Sequence, residues 1–245
     1  MYDALDTISR ECFRSFAVLP NARLVDEHGA FGVMTDVPMT FFNGIATAHA
    51  PSIDAVVDIF RSRKRAFRWW VRDGLGSELT AHGLRFAYHS AGMTCDLTQL
   101  AAVPSPSDLS IRQVHDIRAM AEWAYVLTTV FERPSSEADL WTESFGTIGF
   151  DGNWSHFVGY VDEAPVATAS VLTCGDVAGI YDVGSLTSVR GRGFGSAITR
   201  AALEHARDRG AKEAALQSSD MAVSVYRGLG FTQRATLSMY TWTGA

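Results

Sequence analysis

Apolar and polar positions along this chain switch repeatedly between a helical rhythm and a strand rhythm. Residues 5–16 place apolar side chains at helical spacing and predict an amphipathic helix. Short β-rich runs at residues 22–25, 32–35 and 41–47 predict strands. Ser52 stands at the cap of a helix over residues 53–63, whose Ile53, Val56, Val57 and Phe60 share one face. A strand over residues 66–71 (AFRWWV), a short helix over 76–82 and a strand over 84–88 follow. Residues 101–110 (AAVPSPSDLS) interrupt the pattern, because two prolines and three serines break any regular element.

Beyond the break the rhythm predicts a long helix over residues 111–131. A second helix follows over 135–145, capped by Ser135 or Ser136 ahead of Glu137. Residues 156–162 and 165–173 predict a hairpin turning at Asp162-Glu163-Ala164-Pro165. The run 178–183 reads as a strand, 196–209 as an amphipathic helix and 211–218 as a strand. Residues 222–229 read as a short helix opened by Ser219-Asp220-Met221 and ended by Gly230.

Between the strand at 178–183 and the helix at 196–209 lies Arg190-Gly191-Arg192-Gly193-Phe194-Gly195. Three glycines in five positions let the backbone approach a ligand closely. The first N–H groups of the next helix lack intrahelical partners, and that end is positive. Together these predict an anion site, most naturally for phosphate or pyrophosphate. A Walker loop would end in Gly-Lys-Ser/Thr, whereas this chain has Phe194-Gly195-Ser196. A dinucleotide fingerprint would read Gly-x-Gly-x-x-Gly, and the spacing here is wrong.

The remaining pattern, Arg-x-x-Gly-x-Gly, resembles the coenzyme A loop of the GNAT superfamily of N-acetyltransferases. Tyr226-Arg227-Gly228-Leu229-Gly230-Phe231 resembles the signature that closes GNAT domains, and residues 183–189 (VGSLTSV) resemble the strand before the loop, with Thr187 where proline is usual. The resemblance implies an α/β (α+β) GNAT fold, a mixed twisted sheet flanked by helices. It also implies two tandem GNAT-like units. Residues 108–245 read as the catalytic acetyltransferase domain, and residues 1–103 as a degenerate GNAT-like N-terminal domain whose Gly83-Leu84-Arg85-Phe86 echoes the closing motif. Where that unit's coenzyme loop belongs stands Ala48-His49-Ala50-Pro51-Ser52, with neither glycine nor arginine, so no coenzyme A is expected there.

The resemblance carries roles residue by residue. Arg190, Gly191, Arg192, Gly193, Phe194, Gly195 and Ser196 match the pyrophosphate loop; Arg192 either adds charge or is a solvated loop residue. Val183, Ser185 and Leu186 fall on the strand that splays from its neighbour, whose free backbone groups would pair with pantetheine. Ser219 either faces the coenzyme or caps a helix. Tyr226 matches the general acid for the departing thiolate, and a phenol stays protonated at neutral pH. For the general base, Asp182 is the acid in the strand before the loop, and alternation sets it on the face opposite Tyr181 and Val183. His156 is the other candidate, at a strand end that predicts a surface residue. Gly179 occupies the place where some family members carry a glutamate. The implied cofactor is acetyl-CoA, used as co-substrate, and no metal is implied.

Composition narrows the partners. With 245 residues and a net charge of −6, the chain lacks the basic balance of a nucleic-acid binder. A small-molecule amine acceptor is expected, with no nucleic acid and no membrane, in a monomer or homodimer. Cys12, Cys95 and Cys174 show neither a disulfide framework nor ligand spacing. The acidic start, Asp3 and Asp6, is unlike a signal peptide, so a cytoplasmic location is expected. The basic run at 61–65 suits a solvated helix end. Trp69 and Trp70 are expected to point to opposite faces, an outward one marking an interface. Trp123, Tyr125 and Trp141 border an acceptor pocket or pack in the core. The expected activity is acetyl transfer to a primary amine by direct attack in a ternary complex; a non-catalytic acyl-CoA sensor or scaffold is the alternative.

Overall fold

A computed structural model describes residues 3–48, 51–72, 74–100 and 106–244. The chain begins with α1 (Ala4–Ser15), β1 (Arg23–Glu27), β2 (Ala30–Met34) and β3 (Gly44–Ala48). It continues through α2 (Ile53–Arg61), β4 (Phe67–Val71), α3 (Gly76–Ala81) and β5 (Arg85–Asp96). The second half opens with β6 (Ser110–Gln113), α4 (Ile117–Val130) and α5 (Glu137–Ile148), then β7 (Trp154–Val161), β8 (Ala164–Cys174) and β9 (Val177–Ser185). It closes with α6 (Phe194–Asp208), β10 (Glu213–Ser218), α7 (Val223–Gly228) and β11 (Thr232–Trp242). From its helical start each half therefore runs through three strands, a helix, a strand, a helix and a strand.

All eleven strands join one sheet in the order β1-β2-β3-β4-β11-β5-β10-β9-β8-β7-β6. The last strands of the two halves are exchanged: β5 pairs with β10, β11 pairs with β4, and β5 and β11 pair with each other at the centre. Strands from before and after residues 101–105 thus belong to one sheet. Each half contains a parallel pair that soon parts. β3 and β4 are joined at Gly44↔Arg68 and Ile45↔Trp69, and β9 and β10 from Val177↔Glu213 to Ile180↔Leu216. The tips of β4 and β10 approach from opposite ends of the sheet. Val71 is level with Ser238 and so with His89, while Ser218 is level with Ala91. Both openings therefore face the middle of the molecule.

Helices cover both faces. α1, α4 and α5 pack on one face over a core drawn from both halves, including Phe13, Phe16, Phe42, Trp123, Trp141, Phe145 and Trp154. α6 and α7 pack on the other, over Ala178, Ile180, Ala214, Leu216 and Met93. Burial of this apolar area, at roughly 25 cal/mol per Å², is the main favourable contribution to folding.

Several expectations need correction. The predicted helix over 111–131 begins with a strand, β6, and turns helical only after Asp116, whose side chain accepts from Ala119 N. The strand predicted at 84–88 continues to Asp96, because residues 91–94 are flanked by both β10 and β11 and residues 95–96 pair with β10. Residues 187–189 form a single 3-10 turn, not a continuing strand. Trp69 and Trp70 do face opposite ways, but both are buried, since Trp70 packs with Leu237 and Met239 of the exchanged strand. His156 is buried inside an aromatic cluster. His49 and Ala50 of the first half's loop, and residues 101–105 of the break, lie outside the described residues.

Gly179 has a packing reason. A Cβ there would sit 2.5 Å from Tyr181 Cε2 and 3.0 Å from Ile8 Cβ. The Tyr181 ring and α1 occupy the space a side chain would need, and the Tyr181 hydroxyl donates to Ile8 O at 3.0 Å. Gly179→Ala is expected to destabilise the protein by about 1–3 kcal/mol, read as a lowered Tm. An unchanged Tm would mean that α1 is not seated as described.

Candidate active site

The glycine turn is built as the sequence predicts. Gly191 and Gly193 have φ of 79° and 81°, backbone that a side chain would strain. Gly193 is the N-cap of α6 in the left-handed conformation and offers no side-chain cap. The first intrahelical bond is Ala197 N to Gly193 O, so the preceding N–H groups, at 194–196, await a partner. No acidic residue sits in that first turn. Gly195 has ordinary helical backbone, and a Cβ added to it would meet nothing within 4 Å. The space above it is open, a cradle suited to a pyrophosphate.

The predicted loop residues divide by role. Arg190 and Gly191 are exposed, and Gly195 and Ser196 are half-buried at the turn. Phe194 is buried in the core, leaving only its backbone to the site. Arg192 lies 4.7 Å over the Phe194 ring and pairs with Asp108, tying the loop to the segment before β6. Ser219 is exposed and its side chain makes no cap hydrogen bond.

The opening between β9 and β10 lies just before this turn. Val183, Gly184 and Ser185 remain on β9 beyond the last β10 pairing. One edge of that segment pairs with β8, at Gly184↔Thr168 and Ser185↔Ala167, and Leu186 N donates to Val166 O at 2.9 Å. The other edge faces the opening. Val183 and Leu186 pack toward the α6–α7 side, in the core that contains Tyr226. Tyr226 is 8% exposed, its ring edge-on to Phe231 at 5.8 Å. Burial pushes its phenol up to about 12, so it is a proton donor at any neutral pH.

Asp182 lies on the other side of the sheet. A bulge at this residue, φ 55°, shifts the β8–β9 register and turns its side chain toward α1, the side Tyr181 also faces. The alternation that set it opposite Tyr181 is overturned by that bulge; it does lie opposite Val183. The residue is partly exposed, but its Oδ2 is buried without a hydrogen-bond partner. Burial raises its carboxyl to about 7, while Arg68 and the Ser170 hydroxyl pull the other way. Ser170 Oγ is itself 2.8 Å from His156 Nδ1. Burial drives His156 down to about 3, so it is neutral and a poor base. It orients Ser170 rather than taking protons. Tyr125 is exposed, whereas Trp123 and Trp141 belong to the core.

Arg68 has no role in the sequence reading. The only hint is one charge inside a strand of aromatic residues, and its partners come from distant parts of the chain.

Among the described residues, the start of α2 in the N-terminal half differs from that of α6. Helix α2 carries Asp54 in its first turn, 3.2 Å from His82 Nε2, so an acid already sits at that positive end. The Ser52 N–H is occupied by His28 O at 3.0 Å.

Comparison with known proteins agrees with this arrangement. Residues 117–231 match the model of the acetyltransferase (GNAT) family. Among solved structures, a GCN5-related N-acetyltransferase from Kribbella flavida superposes with a TM-score of 0.77 at 20% identity, covering 98% of this chain and 96% of that one. A tandem GNAT protein from the clavulanic acid biosynthesis pathway gives 0.62 at 13% identity, over 98% and 88% of the two chains. A putative GNAT-family acetyltransferase from Novosphingobium aromaticivorans gives 0.59 at 14%, over 94% and 95%. Among curated proteins nothing matches the chain. No helix among the described residues is long and apolar enough to cross a membrane. The glycine cradle and the parted strands fall within residues 117–231, the segment that matches the acetyltransferase (GNAT) family, a family of acyltransferases, and the chain has the fold of solved GNAT structures.

Proposed function

We propose that the chain transfers the acetyl group of acetyl-CoA to a primary amine of a small molecule by direct attack in a ternary complex. The observation that carries this reading is the parting of β9 and β10 directly before the open cradle at Gly195. Acetyl-CoA supplies the activated acyl group. The α6 N-terminus would hold its pyrophosphate, and the free β9 edge at residues 183–185 would align its pantetheine and polarise the acetyl carbonyl. Holding both reactants in register lowers the entropic part of the barrier.

Asp182 and Tyr226 lie on opposite sides of the sheet, which suits two opposite proton transfers. Asp182, titrating near neutrality, takes a proton from the incoming amine, and Tyr226 donates one to the departing sulfur. A bare acyl-CoA sensor would need neither group. Residues 108–245 form the working unit in this reading. Residues 1–103 form a degenerate copy that binds no coenzyme, given the acid already present at its helix start. A small amine suits a chain of net charge −6 better than nucleic acid does. Three unpaired cysteines suit a reducing cytoplasm.

The test is thiol release from acetyl-CoA in the presence of a panel of small amines. Amine-dependent release is expected; release that no amine accelerates would overturn the reading. Tyr226→Phe is expected to lower kcat by about 100-fold or more with coenzyme affinity preserved. Unchanged turnover across the pH range would remove Tyr226 from the chemistry.

A further inference from the structure

On the α1 side of the sheet stands a half-buried cation with no carboxylate in contact among the described residues. Arg68 projects from β4 of the N-terminal half, and no carboxylate of the described residues lies within 4.0 Å of its guanidinium. The guanidinium is held in place by aromatic rings, 4.5 Å from the Phe41 centroid and 5.5 Å from that of Phe13. One terminal nitrogen donates to Phe41 O at 3.1 Å. Its Nε is buried and has no acceptor. The groups that feel its charge come from three elements: Asp182 and Tyr181 on β9, Cys12 on α1 and Tyr88 on β5. Tyr88 in turn stands edge-on to Trp70 at 5.8 Å and also feels Arg133, beyond α4.

Two unsatisfied atoms of opposite kind therefore face this region. Arg68 Nε is a donor lacking an acceptor, and Asp182 Oδ2 is an acceptor lacking a donor. Buried polar atoms are rarely left so, and each one unpaired is costly. They do not satisfy each other, since the two side chains are not in ion-pair contact. A molecule carrying both an amine and a carboxylate would satisfy both, its amine at Asp182 and its carboxylate at Arg68. Arginine suits that second task, because its planar fork matches carboxylate geometry.

We propose that the acceptor is an amino acid or a related amine bearing a carboxylate, and that Arg68, supplied by the N-terminal half, binds that carboxylate. The inference rests on the acetyl-transfer reading above and deepens it. It gives the half without a coenzyme cradle a specificity role in the site of the other half.

The test uses the full chain with coenzyme A present. Amino acids are compared with their carboxamide and decarboxylated counterparts, by the rise in Tm each causes and by thiol release from acetyl-CoA. At least one amino acid is expected to raise Tm and to react with a kcat/KM about 10- to 100-fold above that of its uncharged counterparts. Arg68→Met is expected to erase that preference; because Arg68 also holds the Asp182 carboxyl down, the readout is the ratio of kcat/KM for carboxylated over uncharged amines, not either rate alone. Because Arg68 packs between two rings, Arg68→Lys serves as a milder variant that keeps the stem and charge but loses the fork. No preference for the carboxylated member in the wild-type protein would overturn the proposal. So would a preference that survives in both variants, or an equal loss on charged and uncharged amines. If amino acids raise Tm through Arg68 yet no thiol is released, the carboxylate assignment stands and the acetyl-transfer reading fails.

Discussion

Asp182→Asn is expected to lower kcat/KM for amine acetylation at pH 7 by about 100- to 10,000-fold, the usual range for a positioned proton acceptor. The wild-type rate should rise with pH through about 7, where Asp182 loses its proton, and level off above. The variant should lack that rise. Stability should move the opposite way. The folded-state carboxyl titrates near 7, above its ordinary value, so between about pH 4 and 7 the folded state holds a proton the unfolded state has lost. Stability from this group is therefore present at low pH and lost as pH climbs through 7. Asparagine removes that loss, so the variant should melt higher than wild type at pH 8 and show less difference at pH 4. A residue that merely braced the fold would lower Tm along with activity. Retained activity with an unchanged pH profile would assign the base elsewhere.

The second large effect is expected at the cradle. Gly193→Asp places a carboxylate at the N-cap of α6, in left-handed backbone at φ 81° that aspartate tolerates better than most residues, at a cost of about 1–2 kcal/mol. The fold should survive. The added charge, however, occupies the position meant for a phosphate, and coenzyme A affinity should fall by about 100-fold or more. Gly195→Ala separates space from charge. Its backbone is helical and its surroundings empty, so alanine brings no clash and gains up to about 1 kcal/mol of helix propensity. A weaker Kd for coenzyme A without a loss of Tm would locate the ligand over Gly195. Unchanged affinity in both variants would move the coenzyme away from this turn.

The parts legible in the sequence were those set by local chemistry. The glycine turn, helix α6 and the Tyr226-to-Phe231 ending depend on residues within one stretch of chain, and they form as read. The β7–β8 hairpin was equally plain, its turn made by Asp162 and Glu163 at φ of 48° and 62°. What the pattern concealed depends on partners distant in sequence. The second half of β5 (Ser90 to Asp96) has little β-branched character, and it is a strand because β10 and β11 flank it. Trp70 is buried by a strand more than 160 residues away, at Leu237 and Met239. His156 looked like a surface residue because its cover, Trp123 and Phe145, comes from helices whose packing is not written locally. The side chosen by Asp182 turns on one bulge. Arg68 packs against Phe41 and against Phe13 of α1, partners distant in the chain that no short motif joins to it.

The central claim is that one half of this exchanged sheet holds the coenzyme and the other does not. Titration calorimetry of coenzyme A and acetyl-CoA into the intact chain tests it most directly. One site per chain, lost in Gly193→Asp, is the predicted result. Two sites per chain, or binding that survives that substitution, would contradict it.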